Sequence, residues 1–300
     1  MKRTLLIIYA VLLPAFSLTA QTPIDKADLS VPSRVAPAFF GPNAFPVPDM
    51  LDGRTSSCLK LEVYADNFFG RMASEDVTDD FTADIFARLT VPLFTERVNL
   101  TLWMPIYEYY SSGPAVNDYR RIRHDGHLSG WNPGDVYLST DIMVLMQEKH
   151  HIDATIRAAL KSASGHNWHY ARNYDSPGYF FDASFGRSFG FGPRTSVKVA
   201  LSGGFLCWQT DNGRQNDAVM YGLMASFNAG SFHLETEYGG YVGWEQHGDA
   251  PMTLKSRLAY DLGGFSVNLQ HQVGFIDWPF HQLRIGVEYK FRNFINTNNR

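Results

Sequence analysis

The sequence predicts an all-β chain: a transmembrane antiparallel up-and-down β-barrel of about twelve strands. Three observations carry that prediction. From about Leu59 onward, apolar and polar residues alternate in stretches such as Phe81–Val91, Ile152–Lys161 and Leu283–Arg292. Period-two alternation marks extended strands with one apolar and one polar face. The connections between stretches then alternate, short and long, without exception. Finally, the chain opens as a secreted protein does, and an exported chain of two-faced strands is the pattern of an outer-membrane barrel.

Residues 1–20 read as a signal peptide. Lys2-Arg3 precede an apolar run from about Leu5 to Leu18, and Thr19-Ala20 supply the small residue for cleavage near Ala20. The run is short for a membrane helix and no basic stop follows it. No cysteine follows it either, so lipid attachment there is not indicated. Residues 21–57 form a Pro- and aromatic-rich segment, Ala36-Pro-Ala-Phe-Phe-Gly-Pro-Asn-Ala-Phe-Pro-Val-Pro-Asp-Met-Leu51 at its heart. Its aromatic content differs from that of a disordered tail. The expectation is a plug folded into or against the periplasmic mouth, anchored by Phe39, Phe40 and Phe45; the alternative is an exposed periplasmic leader.

Residues 58–293 make the barrel, with strands expected at 59–69, 81–92, 97–109, 134–146, 150–162, 178–189, 194–208, 218–228, 231–244, 251–262, 264–275 and 281–292, and a periplasmic tail at 294–300. The count is even, as in bacterial single-chain barrels. A secreted β-sandwich would also alternate, but its strands average roughly 5–6 residues, and these approach the roughly 9–11 that tilted spanning strands need. Pro105 interrupts the third strand and calls for a bulge or frayed pairing. Short hairpin turns fall at 93–96, 147–149, 190–193, 229–230 and 263. The connections at 70–80, 110–133, 163–177, 209–217, 245–250 and 276–280 are longer. Short turns are periplasmic in such barrels, which places both termini in the periplasm. Trp131, Trp168, Trp208, Trp244 and Trp278 fall at the long-loop end and are expected to form one interfacial girdle. Phe94, Phe189, Phe191, Phe232 and Phe265 would form the other.

With apolar residues outward, the inner face carries Lys60, Glu62, Asp66, Asp84, Arg88, Asp153, Arg157, Lys161, Asp182, Lys198, Glu235, Glu237, Lys255, Arg257, Asp261, Arg284, Glu288, Lys290 and Arg292. Lys or Arg on the lipid face would cost about 2–4 kcal/mol at the midplane. Both signs interleave. That fits a water-filled channel tuned by charge, or a self-satisfied, salt-bridged interior. A twelve-stranded bore lies between the filled eight-stranded and open sixteen-stranded cases, so width alone does not choose. In the longest loop, the basic cluster Arg120, Arg121 and Arg123 would form an inward constriction, contact lipopolysaccharide phosphates, or stay solvated.

Other chemistry is sparse. His127 and Ser129 have the His-x-Ser spacing of outer-membrane lipid hydrolases, where His serves as base for a serine nucleophile, but Gly130 follows Ser129, and a glycine-rich polar turn is the better account of the run. His150-His151 would point to opposite faces of a strand, a poor metal pair. Asp76, Asp79 and Asp80 lack the spacing of a calcium loop. No metal site and no cofactor are expected. Cys58 and Cys207 fall near opposite ends of their strands, too far apart for a disulfide. The net charge of −4 points to no nucleic-acid partner. Mean hydropathy is only −0.20, compatible with a barrel because alternate residues alone meet lipid.

Gly134-Asp-Val-Tyr-Leu-Ser139, the run Asp153-Ala-Thr-Ile-Arg-Ala-Ala-Leu-Lys161, and Tyr179-Phe-Phe-Asp-Ala-Ser-Phe-Gly186 carry a resemblance. Together they resemble the outer-membrane barrels of the MetA-pathway phenol-degradation, transporter-like family. Where that family has Pro-Thr-Gly after the second strand, this chain has Ser162-Ala-Ser-Gly165. The resemblance implies an outer-membrane barrel for small molecules, hydrophobic ones among them, and brings no catalytic residues. The sequence reading is therefore a non-enzymatic passive channel or uptake pore in the outer membrane of a Gram-negative bacterium. It would be surrounded by lipid and lipopolysaccharide and pass a small solute. The alternatives are the His127/Ser129 lipid hydrolase and a non-conducting structural barrel.

Overall fold

The computed structural model describes residues 40–70, 79–120, 122, 124–167, 170–173, 177–209, 215–243, 250–275, 278 and 280–291. The signal peptide, Phe39, Asp76, Arg121, Arg123, Trp168, Trp244, Arg292 and the 294–300 tail lie outside the described residues. The strands are β1 (Leu59–Gly70), β2 (Asp80–Pro92), β3 (Val98–Ser112), β4 (Leu128–Asn132), β5 (Tyr137–Leu145), β6 (Asp153–Lys161) and β7 (Gly178–Gly192). There follow β8 (Thr195–Gln209), β9 (Gln215–Ala229), β10 (Phe232–Gly243), β11 (Met252–Asp261), β12 (Phe265–Gly274) and β13 (Phe280–Phe291). Two short helices, α1 (Pro114–Tyr119) and α2 (Gln147–His150), sit in connections.

Every neighbouring pair is antiparallel, and the sheet closes on itself where β1 meets β13, from Leu59↔Phe291 to Gly70↔Phe280. Closure gives the first and last strands a partner on both sides. The thirteen strands form twelve staves, because β4 and β5 share one position in the wall: β3 pairs through Glu108–Ser112 with β4 and through Val98–Trp103 with β5. The predicted loop at 110–133 is accordingly shorter than expected. Leu128–Asn132, which reads as a polar turn, continues the wall, and the break falls at Pro133-Gly134, where the Gly134 amide donates to the Pro105 carbonyl at 2.9 Å. Opposite Pro105 the β2–β3 ladder skips a residue. Phe86 faces Pro105 and Ile85 faces Tyr107, so Ile106 is the extra residue of a bulge that absorbs the missing proline donor. Hairpins at the other end close on glycines with positive φ, Gly230 at 63° and Gly263 at 94°.

The outer surface carries an aliphatic belt, including Ile85, Ile156, Leu201, Leu223, Leu269 and Ile285, all exposed. Phe94, Phe189, Phe191, Phe232 and Phe265 are exposed around the short-turn end, and Trp131 at the long-loop end. The tryptophan girdle needs correction, however. Trp208 and Trp278 are buried on the inner side, at 1% and 3% exposure. Trp208 packs edge-on to Phe180, and Trp278 against Phe68 and Phe280. The inner wall at the long-loop end also carries Phe180, Leu206, Met220 and Tyr241, so these indoles pack inside the barrel there.

Candidate functional site: the occupied bore

Residues 40–58 run inside the barrel from its long-loop half to the short-turn mouth, where they join β1. Prolines at 42, 46 and 48 fix φ and remove backbone donors, so the stretch, a turn at 42–44 and irregular beyond it, pairs with no strand. At the long-loop end Phe40 and Phe45 meet edge-to-face, 5.1 Å between centroids. They join Ala44 and Val47 in one apolar cluster with Ile122, Tyr137, Phe180, Leu206, Trp208, Met220 and Tyr241. The Gly41 amide donates to the Ala171 carbonyl at 2.6 Å. A Cβ on Gly41 would lie 2.6 Å from the Arg172 guanidinium carbon. Arg172 is held in turn by Glu108 at 2.9 Å and Thr82 at 2.6 Å, over the ring of Tyr110. The Asn43 side-chain amide donates to two adjacent wall carboxylates, Asp84 at 2.7 Å and Glu108 at 2.6 Å. One neutral group thus spaces two acids that would otherwise face each other.

Asp49 lies at mid-bore. Its Oδ2 accepts from Arg88 of β2 at 2.5 Å, its Oδ1 from Lys255 of β11, and its carbonyl from Arg157 of β6 at 2.8 Å. Only a residue near the barrel axis reaches β2, β6 and β11 together. Burial pushes the Asp49 carboxyl up, but the charges of Lys255, Arg88 and Arg284 outweigh it and hold the group well below the usual carboxylate range. The neighbouring Met50 amide donates to Glu237 at 2.9 Å, and Glu237 also pairs with Lys255 at 3.1 Å.

Toward the short-turn mouth, Asp52 pairs with Lys198 at 2.6 Å. Arg54 pairs with Asp153 at 2.6 Å and with Glu148 of α2 at 2.5 Å. Here the segment touches the wall backbone itself. A Cβ on Gly186 would lie 2.0 Å from the Asp52 carbonyl oxygen, and Gly53 holds φ at +90°, a conformation that suits glycine. Gly222 makes a similar recess for Met50, whose Sδ would be 2.3 Å from an added Cβ.

The residues expected on the inner face lie on the enclosed side of their strands. Glu62, Asp66, Asp84, Asp153, Arg157, Lys161, Asp182, Lys198, Glu237, Lys255, Arg284 and Glu288 are buried. Lys60, Arg88, Glu235, Arg257, Asp261 and Lys290 are half-buried. Many pair along the wall: Arg157 with Asp182 at 2.7 Å, Arg284 with Asp66 at 2.5 Å, Lys161 with Asp135 at 2.6 Å, and Lys290 with Glu288 at 3.1 Å. Among the described residues Arg88 has a single ion pair within 4.0 Å, and its partner is Asp49 of the segment. Of the basic loop cluster, Arg120 is buried and grips Asp80 with both terminal nitrogens, at 3.1 and 2.6 Å.

Two cavities flank the segment. One of about 280 Å³ follows it past β1, β2, β3 and β13, between Asp49, Arg88, Phe86, Trp103, Arg257 and Arg284. The other, about 610 Å³, opens at the short-turn end between residues 50–58 and a wall that includes Lys198, Glu235, Arg257, Asp261 and Lys290. The bore is therefore partly open on both sides of Asp49: the smaller cavity reaches Phe180, Trp208 and Trp278 in the long-loop half, where buried Glu108, Arg120 and Arg172 stand beside the apolar cluster, and the larger opens at the short-turn mouth.

His127 and Ser129 are not brought together as a pair. The His127 Nε2 lies 2.9 Å from Ser111 Oγ, and its Nδ1 is 3.8 Å from Asp79, beyond hydrogen-bond length. Ser129 stands across the ladder from Ser111. His150 ends α2, and His151 follows with φ at 63°; both are exposed, and no metal-binding group of side chains occurs among the described residues. Neither cysteine forms a disulfide.

Sequence reasoning located the wall charges but missed their partners in the segment, Asn43, Asp49, Asp52 and Arg54. The available signal was glycine. Gly186 and Gly222 fall mid-strand on the inward parity, where a missing side chain marks close approach of other chain.

No family model matches this chain, and no curated protein matches it. Solved structures do. The COG4313 outer membrane channel from Pseudomonas putida F1 superposes with a TM-score of 0.58 at 14% identity, over 81% of this chain and 100% of that one. The NanC porin gives 0.48 at 9% identity, over 77% and 100%. The CymD monoaromatic hydrocarbon channel gives 0.40 at 9%, over 80% and 90%. At these identities the likeness is one of fold: the chain is a closed twelve-stave antiparallel barrel of the outer-membrane type.

Proposed function

We propose that this protein is an outer-membrane channel through which a small solute diffuses passively, its bore narrowed by residues 40–58. The observation that carries this reading is the pair of cavities, about 280 and 610 Å³, that flank the segment between charged walls of both signs. A structural barrel has no need of polar space along its axis, whereas a solute path does. The short hairpins, and with them the start of β1 and the end of β13, then face the periplasm, and the long loops face outward. The likeness to the COG4313 channel supports the reading at the level of fold.

The test is reconstitution of the purified protein in planar bilayers, with gel migration before and after boiling to verify a folded barrel. Small, discrete conductance steps are expected. A folded barrel that leaves bilayer conductance at its bare level would overturn the channel reading. A second reading, a lipid hydrolase at the long-loop rim, is favoured by one contact, the 2.9 Å approach of His127 to Ser111. Phospholipid hydrolysis that disappears in Ser111→Ala would support it against the channel.

A further inference from the structure

We infer that Arg88, Lys255 and Arg157 form a binding site for a small carboxylate anion, and that Asp49 occupies this site in place of the solute. The inference rests on the reading of the bore as a solute path and deepens it by naming a ligand class.

The geometry is that of a ligand in a pocket. A carboxylate near the axis offers one oxygen to a guanidinium and the other to an ammonium, from strands on different sides of the barrel. Charge-assisted bonds of this kind are the strong ones. The third cation, Arg157, is anchored on Asp182 by Nε at 2.7 Å and reaches Asp49 only at its backbone carbonyl, at 2.8 Å. Its charge thus remains close to any carboxylate that replaces the side chain.

The wall supplies these cations unequally with partners of their own. Lys255 keeps Glu237 at 3.1 Å and Arg157 keeps Asp182, but Arg88 pairs, among the described residues, with Asp49 alone. Withdraw the segment, and the guanidinium keeps only a looser neighbour, Glu62 across the ladder, beyond ion-pair distance. The cavity of about 280 Å³ touches Asp49 and Arg88 alike, so an anion diffusing along the bore arrives beside the occupied site. That space is several times the roughly 30 Å³ share of a water molecule. Asp49 itself is carried on a chain that forms no ladder hydrogen bonds with the wall, so it can leave without breaking the sheet. A tethered group of this kind competes at millimolar effective concentration.

Acetate is the probe. In Asp49→Ala, followed by thermal melting in detergent, sodium acetate should raise the melting temperature beyond sodium chloride of equal ionic strength, with a half-effect at millimolar acetate. Wild type, its site filled, should respond at least tenfold more weakly. Adding Arg88→Gln to Asp49→Ala should abolish the acetate response. Should the alanine variant fail to fold, Asp49→Asn keeps the shape without the charge and serves in its place. In bilayers, the chloride conductance of the variant should exceed that of wild type and fall when acetate is added. Equal shifts by acetate and chloride in both variants would overturn the site while leaving a conducting channel standing. An acetate-specific shift in a barrel that never conducts would keep the site and remove the passive-channel reading.

Discussion

Replacing Gly186 with alanine should loosen the internal segment without unfolding the barrel. The new Cβ would lie 2.0 Å from the Asp52 carbonyl oxygen and 2.9 Å from Lys198 Cε. The lysine tip can move, but a backbone carbonyl cannot move alone, so the chain at Asp52-Gly53 has to shift. Overpacking of this kind costs about 1–3 kcal/mol. The shift also strains the 2.6 Å pair between Lys198 and Asp52, worth about 1.5–3 kcal/mol when dry but less here, since Asp52 is 39% exposed. Together these give about 2–4 kcal/mol, or roughly 30- to 700-fold in the detachment equilibrium. Gly190→Ala is the control, on the same strand and with nothing within 4 Å of the added methyl. A cysteine at Val47, only 8% exposed, reports detachment through its rate of alkylation by a small maleimide in a Cys58→Ser background. The Gly186 variant should label faster by that factor while its boiled and unboiled gel bands stay those of a folded barrel. Equal labelling of the Gly186 and Gly190 variants would refute the contact.

Further outcomes follow from the same geometry. Asn43→Asp sets a third carboxylate between Asp84 and Glu108 and should lower the melting temperature, whereas Asn43→Gln should lower it less; a neutral Asn43→Asp would mean that the amide does not separate the two acids. Trp208→Ala should cost about 3–5 kcal/mol by opening a void in the apolar cluster, read as a drop in unfolding temperature, and a change under 1 kcal/mol would return Trp208 to the membrane interface. The lowered pKa of Asp49 sets a pH window. Its ion pairs contribute fully above the unfolded carboxyl value of roughly 3.9 and are lost as pH falls through the lower folded value. The melting difference between wild type and Asp49→Asn should thus be flat from pH 7 to about 4.5 and shrink below 4. A difference that vanishes between pH 7 and 5 would contradict it.

The wall of the barrel was legible because inward and outward residues obey a strict period, and because turn lengths sort into two kinds. Even the bulge at Pro105 could be anticipated, since a proline in a ladder leaves few solutions. β4 escaped notice because its five residues, Leu-Ser-Gly-Trp-Asn, carry turn-forming types and follow a long irregular loop. Trp208 and Trp278 were misplaced because position along a strand suggests a membrane interface, while parity decides which face a side chain takes. The inner segment was the least legible part. Its contacts have no period: Asn43, Asp49, Asp52 and Arg54 between them reach β2, β3, β6, β8 and β11, at sequence separations from 41 to 206. Its proline and aromatic content suggested a plug anchored at the short-turn mouth, but Phe40 and Phe45 lie at the long-loop end, and only the glycine recesses at 186 and 222 mark its course along the wall.

The tether of that segment bears on how the barrel comes to be built. Residue 58 leads straight into β1, which zips against β13, and Phe40 lies at the opposite end of the bore from this junction. Were the β1–β13 seam to close first, residues 40–57 would have to be fed up a charged tube. Laid onto the sheet while it is still open, the segment needs no threading, and Asp49 draws β2, β6 and β11 around itself as they arrive. In that order of assembly residues 40–58 would serve as a mandrel on which the wall is wound, with the seam between first and last strand as the final joint.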